Sequence, residues 1–317
     1  VCIVWVVFTH NLPQHLMDSI GFIIWGQMAV PLFLLLQCYH VFRKGFSTPE
    51  IKWNSFYNAK KTLHRIILPF IYTTLCSAII LIISGEHILD VVKSTIIQGG
   101  IGPGSYYFWI YVQFLIILPP VFFLVKRWGG GSWKMHVAFI AVAQLLEILC
   151  MVSGIIEPVY RLLCFRYIFL IYLGFLWSQT MISKKLEKWQ VIFAIVSLLA
   201  LVFIHYVIDG SLTPIFHDTA WRDFHWICYY WAAFLLPWLL RYVYSKCHRK
   251  LQKAIEYIGR YSYEIFLMQM FVFTAYPVIF KGINLHGIFV ILITTVASIL
   301  PVLLYQTIKN KYALKES

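Results

Sequence analysis

The feature that most restricts this chain is its succession of apolar runs, each close to twenty residues long and nearly free of charge. Inside a bilayer no water satisfies backbone N–H and C=O groups, so each run has to close its hydrogen bonds within itself as a helix. Charged residues are 12% of the 317 and hydrophobic ones 61%, where a soluble domain carries roughly 25% charged residues. The chain reads as an all-α, polytopic membrane protein. Segments of about ten residues with alternating hydropathy, the mark of a membrane β-barrel, are not found.

Ten spans are expected, as a single integral membrane domain over 1–317. The first is the apolar run Val1-Cys2-Ile3-Val4-Trp5-Val6-Val7-Phe8-Thr9, which leads into His10 before Asn11, Leu12 and Pro13 break the pattern. It reads as the tail of a longer helix that starts before residue 1. The others fall near 21–41, 66–84, 106–125, 135–155, 162–180, 189–208, 225–244, 262–280 and 287–307, most with the ~20 residues that a bilayer core requires.

The net charge of +13 raises nucleic acid as a partner, but the placement of the charges argues against it. They sit in short blocks between apolar runs. With both termini cytoplasmic, 20 of the 26 Lys and Arg fall on the inside, from Arg43 and Lys44 to Lys309, Lys311 and Lys315. The outer loops keep Lys93, Arg161, Arg222 and Lys281 beside a larger set of Asp and Glu. That asymmetry is the positive-inside pattern, and it puts His10 toward the outer face. The seven cysteines lie mostly within apolar segments and form no Cys-x-x-Cys, so they read as small core residues. No soluble domain and no internal repeat is visible. The Asn54–Arg65 part of the basic segment 42–65 suits an interfacial helix.

Five groups of residues carry chemistry. A histidine near the end of a membrane helix needs a partner or a task. His10 suits proton transfer from a hydroxyl, since an ordinary imidazole titrates near neutrality; a hydrogen bond to a neighbouring helix accounts for it equally well. At the entry to the third span, Lys60-Lys61-Thr62-Leu63-His64-Arg65-Ile66-Ile67-Leu68-Pro69 stacks Lys61, His64 and Arg65 on one helical face. Such a cluster suits phosphates, with Arg as a fork and Lys as a point charge. The positive-inside bias explains most of these charges too, though Arg65, at the span itself, less well.

Gly102-Pro103-Gly104-Ser105-Tyr106-Tyr107-Phe108-Trp109, followed by Gln113, is a turn-rich loop entering a membrane helix. Its aromatics suit stacking on a sugar or anchoring at the interface. Glu147, Arg166 and Glu264 stand at membrane depth, where charges pair or line a cavity. Glu147 suits an orienting role toward His10 or another polar group, and a Glu–Arg pair that only holds helices together is the plainer account. Last, Trp221-Arg222-Asp223-Phe224-His225-Trp226-Ile227-Cys228-Tyr229-Tyr230-Trp231 mixes aromatic and polar groups suited to a carbohydrate or lipid headgroup, and an aromatic belt accounts for it at least as well. No Walker loop, zinc spacing or Gly-x-Ser-x-Gly occurs, so a metal site has no support.

In their order these pieces resemble the acyltransferase 3 family of bacterial integral membrane proteins. The first run ending in His10 is similar to that family's first helix, which carries an Arg, ten residues and then the His; here that Arg would fall before residue 1. Val30-Pro31-Leu32-Phe33-Leu34-Leu35-Leu36-Gln37-Cys38-Tyr39 resembles the family's second helix, with Gln37-Cys38 in place of Ser-Gly. The Lys60–Pro69 stretch resembles its basic entry to the third helix. Tyr106-Tyr107-Phe108-Trp109, Phe165-Arg166-Tyr167 with Gly174, and Gly259-Arg260-Tyr261-Ser262-Tyr263-Glu264-Ile265-Phe266-Leu267 resemble its later motifs. Gln269 stands where family members often have His.

The resemblance implies transfer of an acyl group, usually acetyl, from cytoplasmic acyl-CoA to a hydroxyl of a cell-surface polysaccharide or glycolipid, in the bacterial inner membrane. No permanently bound cofactor is implied, and acetyl-CoA is the donor substrate. His10 and Glu147 would be catalytic, and Lys61, His64 and Arg65 would hold the CoA phosphates. Tyr106, Tyr107, Trp109, Gln113, Arg166 and Trp226 would meet the acceptor. The partners implied are acyl-CoA, a glycan or glycolipid and membrane lipid, without nucleic acid; a homo-oligomer is left open. A transporter or exporter of a small polar molecule or glycan is the alternative, and an interaction subunit of a polysaccharide assembly system is a third.

Overall fold

The computed structural model describes residues 2–48, 59–128, 130–183, 185–203, 226–281 and 287–313. Every regular element among the described residues is helical. In chain order these are α1 (Cys2–Thr9), α2 (Gln14–Ser19), α3 (Phe22–Trp25), a short tight turn at Gly26–Met28, and α4 (Ala29–Ser47). Then come α5 (Ala59–Thr62), α6 (Leu68–Ile83), α7 (Ile88–Gln98), α8 (Tyr106–Arg127), α9 (Trp133–Val152) and α10 (Glu157–Leu162). The rest are α11 (Ile168–Ser183), α12 (Lys188–Phe203), α13 (Leu236–Lys246), α14 (Arg249–Arg260), α15 (Ser262–Ile279) and α16 (Gly287–Ala313).

Among the described residues five helices are long and apolar enough to cross a membrane: Lys60–Ile83, Tyr106–Arg127, Trp133–Val152, Ser262–Ile279 and Phe289–Lys311. Their surfaces fit that setting. On α6, Ile71, Leu75, Ile79 and Ile83 are all exposed and recur every four residues, which lines them along one face. In water such a stripe is a liability; against lipid tails it is an ordinary wall. The molecule is an integral membrane protein.

The helices depart from the expected spans at particular points. Expected span 21–41 is broken at Gly21–Met28 before α4 begins. Residues 59–65, expected in an interfacial helix, instead continue into the spanning helix that starts at Lys60; residues 49–58 lie outside those described. The loop expected over 85–105 contains α7, and the basic stretch after Lys246 forms α14, whose apolar Leu251, Ile255 and Ile258 recur at helical spacing. His217, Asp218 and the 221–225 part of the aromatic stretch lie outside the described residues.

Two widened turns share one cause. Leu63–Ile67 and Trp231–Leu235 adopt π geometry, in which the Leu68 N–H reaches Leu63 O and the Leu236 N–H reaches Trp231 O. In each case the following residue is a proline, Pro69 or Pro237. A proline has no N–H to offer the carbonyl four residues back, so the ladder has to be rearranged just before it.

The chain forms two compact units. The first comprises residues 1–16, 59–108 and 246–317. Within it α15 is the central element, packed against α1, α6 and α16. Ile3, Val6 and Val7 bury one side of α1. Gly102 comes so close to α15 that a Cβ there would sit 2.6 Å from Met270 O, and its φ of 97° is one that glycine adopts freely. Phe70 and Phe108 stack with centroids 3.8 Å apart.

The second unit comprises residues 17–58 and 109–245. Its core is α4 against α11, with α9, α12 and the widened turn before α13 packed around them. A Cβ on Gly174 would lie 2.4 Å from Cys38 Cβ, so a residue without a side chain is what lets α11 approach α4. Phe42, Phe122, Phe169, Phe175 and Tyr172 fill the space at less than 2% exposure.

Candidate active site

In the first unit the polar groups of interest are distributed along α15. At its start the Tyr263 hydroxyl donates to Ile66 O at 2.7 Å. This fastens the beginning of α15 to the widened turn that carries His64 and Arg65. The turn changes how the basic residues are displayed. In an unbroken α-helix Lys61 and Arg65 would lie directly above one another; one extra residue in the turn rotates His64 and Arg65 relative to Lys61. All three are exposed. The geometry suits an anion with several oxygens.

One turn further along α15, Phe266 meets the ring of Tyr107 edge-on at 5.7 Å. Tyr106 and Tyr107 are partly exposed, and Ser105 Oγ donates to Gln98 O, tying the glycine-rich loop back to α7. Near the far end, Phe273 packs edge-on against the His10 imidazole at 6.0 Å. His10 itself is exposed at the end of α1. Its neighbour Asn11 fixes the exit of that helix: Nδ2 donates to Val7 O at 3.1 Å, and Oδ1 accepts from the Thr294 hydroxyl of α16 at 2.8 Å. His10 is thus held by backbone anchoring on one side and an aromatic edge on the other.

The second unit gathers its polar groups in the interior. Glu147 is 1% exposed, and its Oε2 accepts from the Tyr160 hydroxyl at 2.5 Å. Arg166, also 1% exposed, lies with its guanidinium 5.6 Å from the Tyr160 ring and 5.5 Å from the Tyr167 ring. Tyr160 therefore stands between the two charges, bonding one through its hydroxyl and the other through its ring. The Gln113 carboxamide bridges backbone, donating to Trp109 O and Leu162 O and accepting from Cys164 N. It fixes the short segment that delivers Arg166. Trp226 donates from Nε1 to Gln144 Oε1 at 3.0 Å, while Trp109 is 43% exposed.

A further pair escaped the sequence reading. His136 Nε2 lies 2.5 Å from the Tyr230 hydroxyl, enclosed by Trp133, Phe169, Tyr172, Trp189 and Phe193. The two residues are 94 apart in sequence, and nothing local to either marks the pairing. Tyr160, Tyr263 and Asn11 were missed for the same reason: each acts on a candidate residue through a contact that only folding creates. Tyr263 alone had a signal, since it falls within one of the motifs quoted for the resemblance.

The family model for the acyltransferase domain called acyltransferase 3 matches residues 1–305. The chain belongs to this family. No curated protein and no solved structure gives a match. The resemblance seen in the sequence motifs is thereby established over nearly the whole chain, and the protein is a membrane acyltransferase. The family match takes in residues of both units.

Proposed function

We propose that the protein spans the membrane ten times with both termini in the cytoplasm and moves an acetyl group from cytoplasmic acetyl-CoA to a hydroxyl of a cell-surface polysaccharide or glycolipid. His10 takes the proton of the acceptor hydroxyl. The hydroxyl oxygen bonds to the thioester carbonyl carbon, the C–S bond breaks, and the proton passes to the departing sulfur. Lys61, His64 and Arg65 hold the donor's phosphates. The observation that supports this reading is that α15 meets both the basic turn and His10. Tyr263 binds the turn bearing Arg65, and Phe273, ten residues on, packs against His10. At 1.5 Å per residue the two points are roughly 15 Å apart along the helix, a separation suited to a donor whose phosphates and thioester lie at opposite ends of a long arm.

Tyr106 and Tyr107, partly exposed beside the glycine-rich loop, offer the acceptor an aromatic surface. Within the second unit Gln113 holds the segment that carries Arg166. Glu147 contributes by holding Tyr160 and balancing the Arg166 charge.

The test uses the full chain in lipid vesicles with acetyl-CoA as donor and a glycan extract of the protein's own cells as acceptor. Release of free thiol that depends on the glycan, matched by acetyl ester on the glycan, is the expected result. Movement of glycan across the vesicle membrane without thiol release would overturn the reading in favour of export.

A further inference from the structure

Gln269 lies in the middle of α15 at 0% exposure, and neither Oε1 nor Nε2 has a hydrogen-bond partner among the described residues. A buried carboxamide with both ends unmatched costs free energy, of order 1–3 kcal/mol for each group left unsatisfied. Such a group calls for a specific explanation. Its position supplies one. Phe273, which meets the His10 ring, is four residues further on, and Phe266, which meets Tyr107, is three residues before. The three side chains share one face of α15. Met270, next in the chain, is where the loop backbone at Gly102 makes its close approach. Gln269 is thus buried on the same face of α15 as Phe266 and Phe273, about 6 Å along the helix from the residue that meets His10.

We propose that Gln269 is a catalytic residue whose Nε2–H group donates to the carbonyl oxygen of the acyl group at His10. The proposal rests on the acyl-transfer reading above and deepens it at that same site. When the acceptor oxygen adds to the carbonyl carbon, the carbonyl oxygen takes up negative charge. A fixed amide donor in an enclosed site stabilises that charge more than it stabilises the neutral thioester. As the C–S bond breaks, the carbonyl re-forms as an ester, and the proton taken by His10 leaves on the thiol. The donor, without a partner among the described residues, gains one as the reaction proceeds.

The experiment compares full-length wild type, Gln269→Met, Gln269→Asn and His10→Ala in the vesicle assay with acetyl-CoA and the glycan extract, together with thermal unfolding. Methionine keeps the volume and removes the amide. If the proposal holds, Gln269→Met loses about 10²–10³ in kcat, as removal of an oxyanion donor does elsewhere. Its KM for acetyl-CoA stays the same, and its unfolding midpoint is unchanged or higher because an unmatched polar group is gone. Gln269→Asn, with the amide withdrawn by one methylene, also loses kcat at constant KM. Wild-type kcat in Gln269→Met means that an internal water alone satisfies the amide, and overturns the proposal. A parallel fall in kcat and unfolding midpoint in both Gln269 variants marks a packing role and also overturns it. Should Gln269→Met fail to fold, full activity in Gln269→Asn overturns it as well. If wild type transfers acetyl, His10→Ala does not, and Gln269→Met does, the assignment of Gln269 fails while the acyl-transfer reading stands. If wild type releases no thiol, both fall.

Discussion

In the second unit Glu147, Tyr160, Arg166, His136 and Tyr230 are drawn into the interior and bonded or stacked on one another. In the first, His10, His64 and Arg65 stand exposed at the ends of helices, and the buried Gln269 side chain has no hydrogen-bond partner among the described residues. The contrast separates two uses of polar groups in a membrane protein. Buried and matched, they fix how helices meet, because any other arrangement would leave a charge or a hydroxyl unsatisfied in a medium of low dielectric. Exposed or unmatched, they keep their hydrogen-bonding capacity for something that arrives. In the proposed reaction the first unit supplies the site and the second serves as a frame.

The sharpest way to break this contrast is to remove one group from each unit and ask whether activity or stability suffers. His10→Ala is expected to lower acetyl transfer by about 10²–10⁴, the usual contribution of a positioned acid–base group, with the unfolding midpoint unchanged. Full transfer by that variant would end the role of the first unit as the site. Glu147→Ala is expected to act in the opposite sense, since it strips the Tyr160 hydroxyl of its acceptor and leaves the Arg166 charge uncompensated. Leaving that buried hydroxyl unsatisfied costs about 1–3 kcal/mol, readable as a fall in thermal stability of the protein in lipid. A Glu147→Ala protein of normal stability that has lost turnover would move Glu147 from frame to site.

Smaller effects sharpen the same division. Arg65→Ala removes a charge-assisted contact of about 1.5–3 kcal/mol, so the KM for acetyl-CoA should rise roughly 10- to 150-fold while kcat and stability hold. Tyr263→Phe deletes the hydroxyl that fastens Ile66 and costs about 0.5–1.5 kcal/mol. Because that bond fixes the turn carrying Arg65, a several-fold rise in KM for acetyl-CoA is expected at constant kcat. An unchanged KM would show that the basic turn holds its shape without α15.

Much of the scaffold is legible from the residues alone. The runs at 106–125, 135–155 and 262–280 become α8, α9 and α15 with ends shifted by a few residues, because a charge-free run in lipid has one way to satisfy its backbone. The widened turns are less legible. Pro69 and Pro237 signal a disturbance, but a kink, a break and a π-turn are all compatible with a proline. α14 is visible only once helical period is sought within a charged stretch, where the high density of Arg and Lys obscures Leu251, Ile255 and Ile258.

The candidate residues divide along the same line. His10, Arg65, Glu147 and Arg166 could be named from the sequence because an ionisable group in or beside an apolar run is conspicuous wherever it occurs. Their partners could not. Glu147 meets Tyr160 across 13 residues, His136 meets Tyr230 across 94, Tyr263 meets Ile66 across 197 and Asn11 meets Thr294 across 283. Hydropathy is a property of each residue and its immediate neighbours, so the sequence by itself determined that this is a helical membrane protein and which of its polar groups were out of place. Whether such a group is matched depends on what the fold brings within about 3 Å of it. That is a tertiary property, and it alone decided that Glu147 is held in place while Gln269 is left waiting.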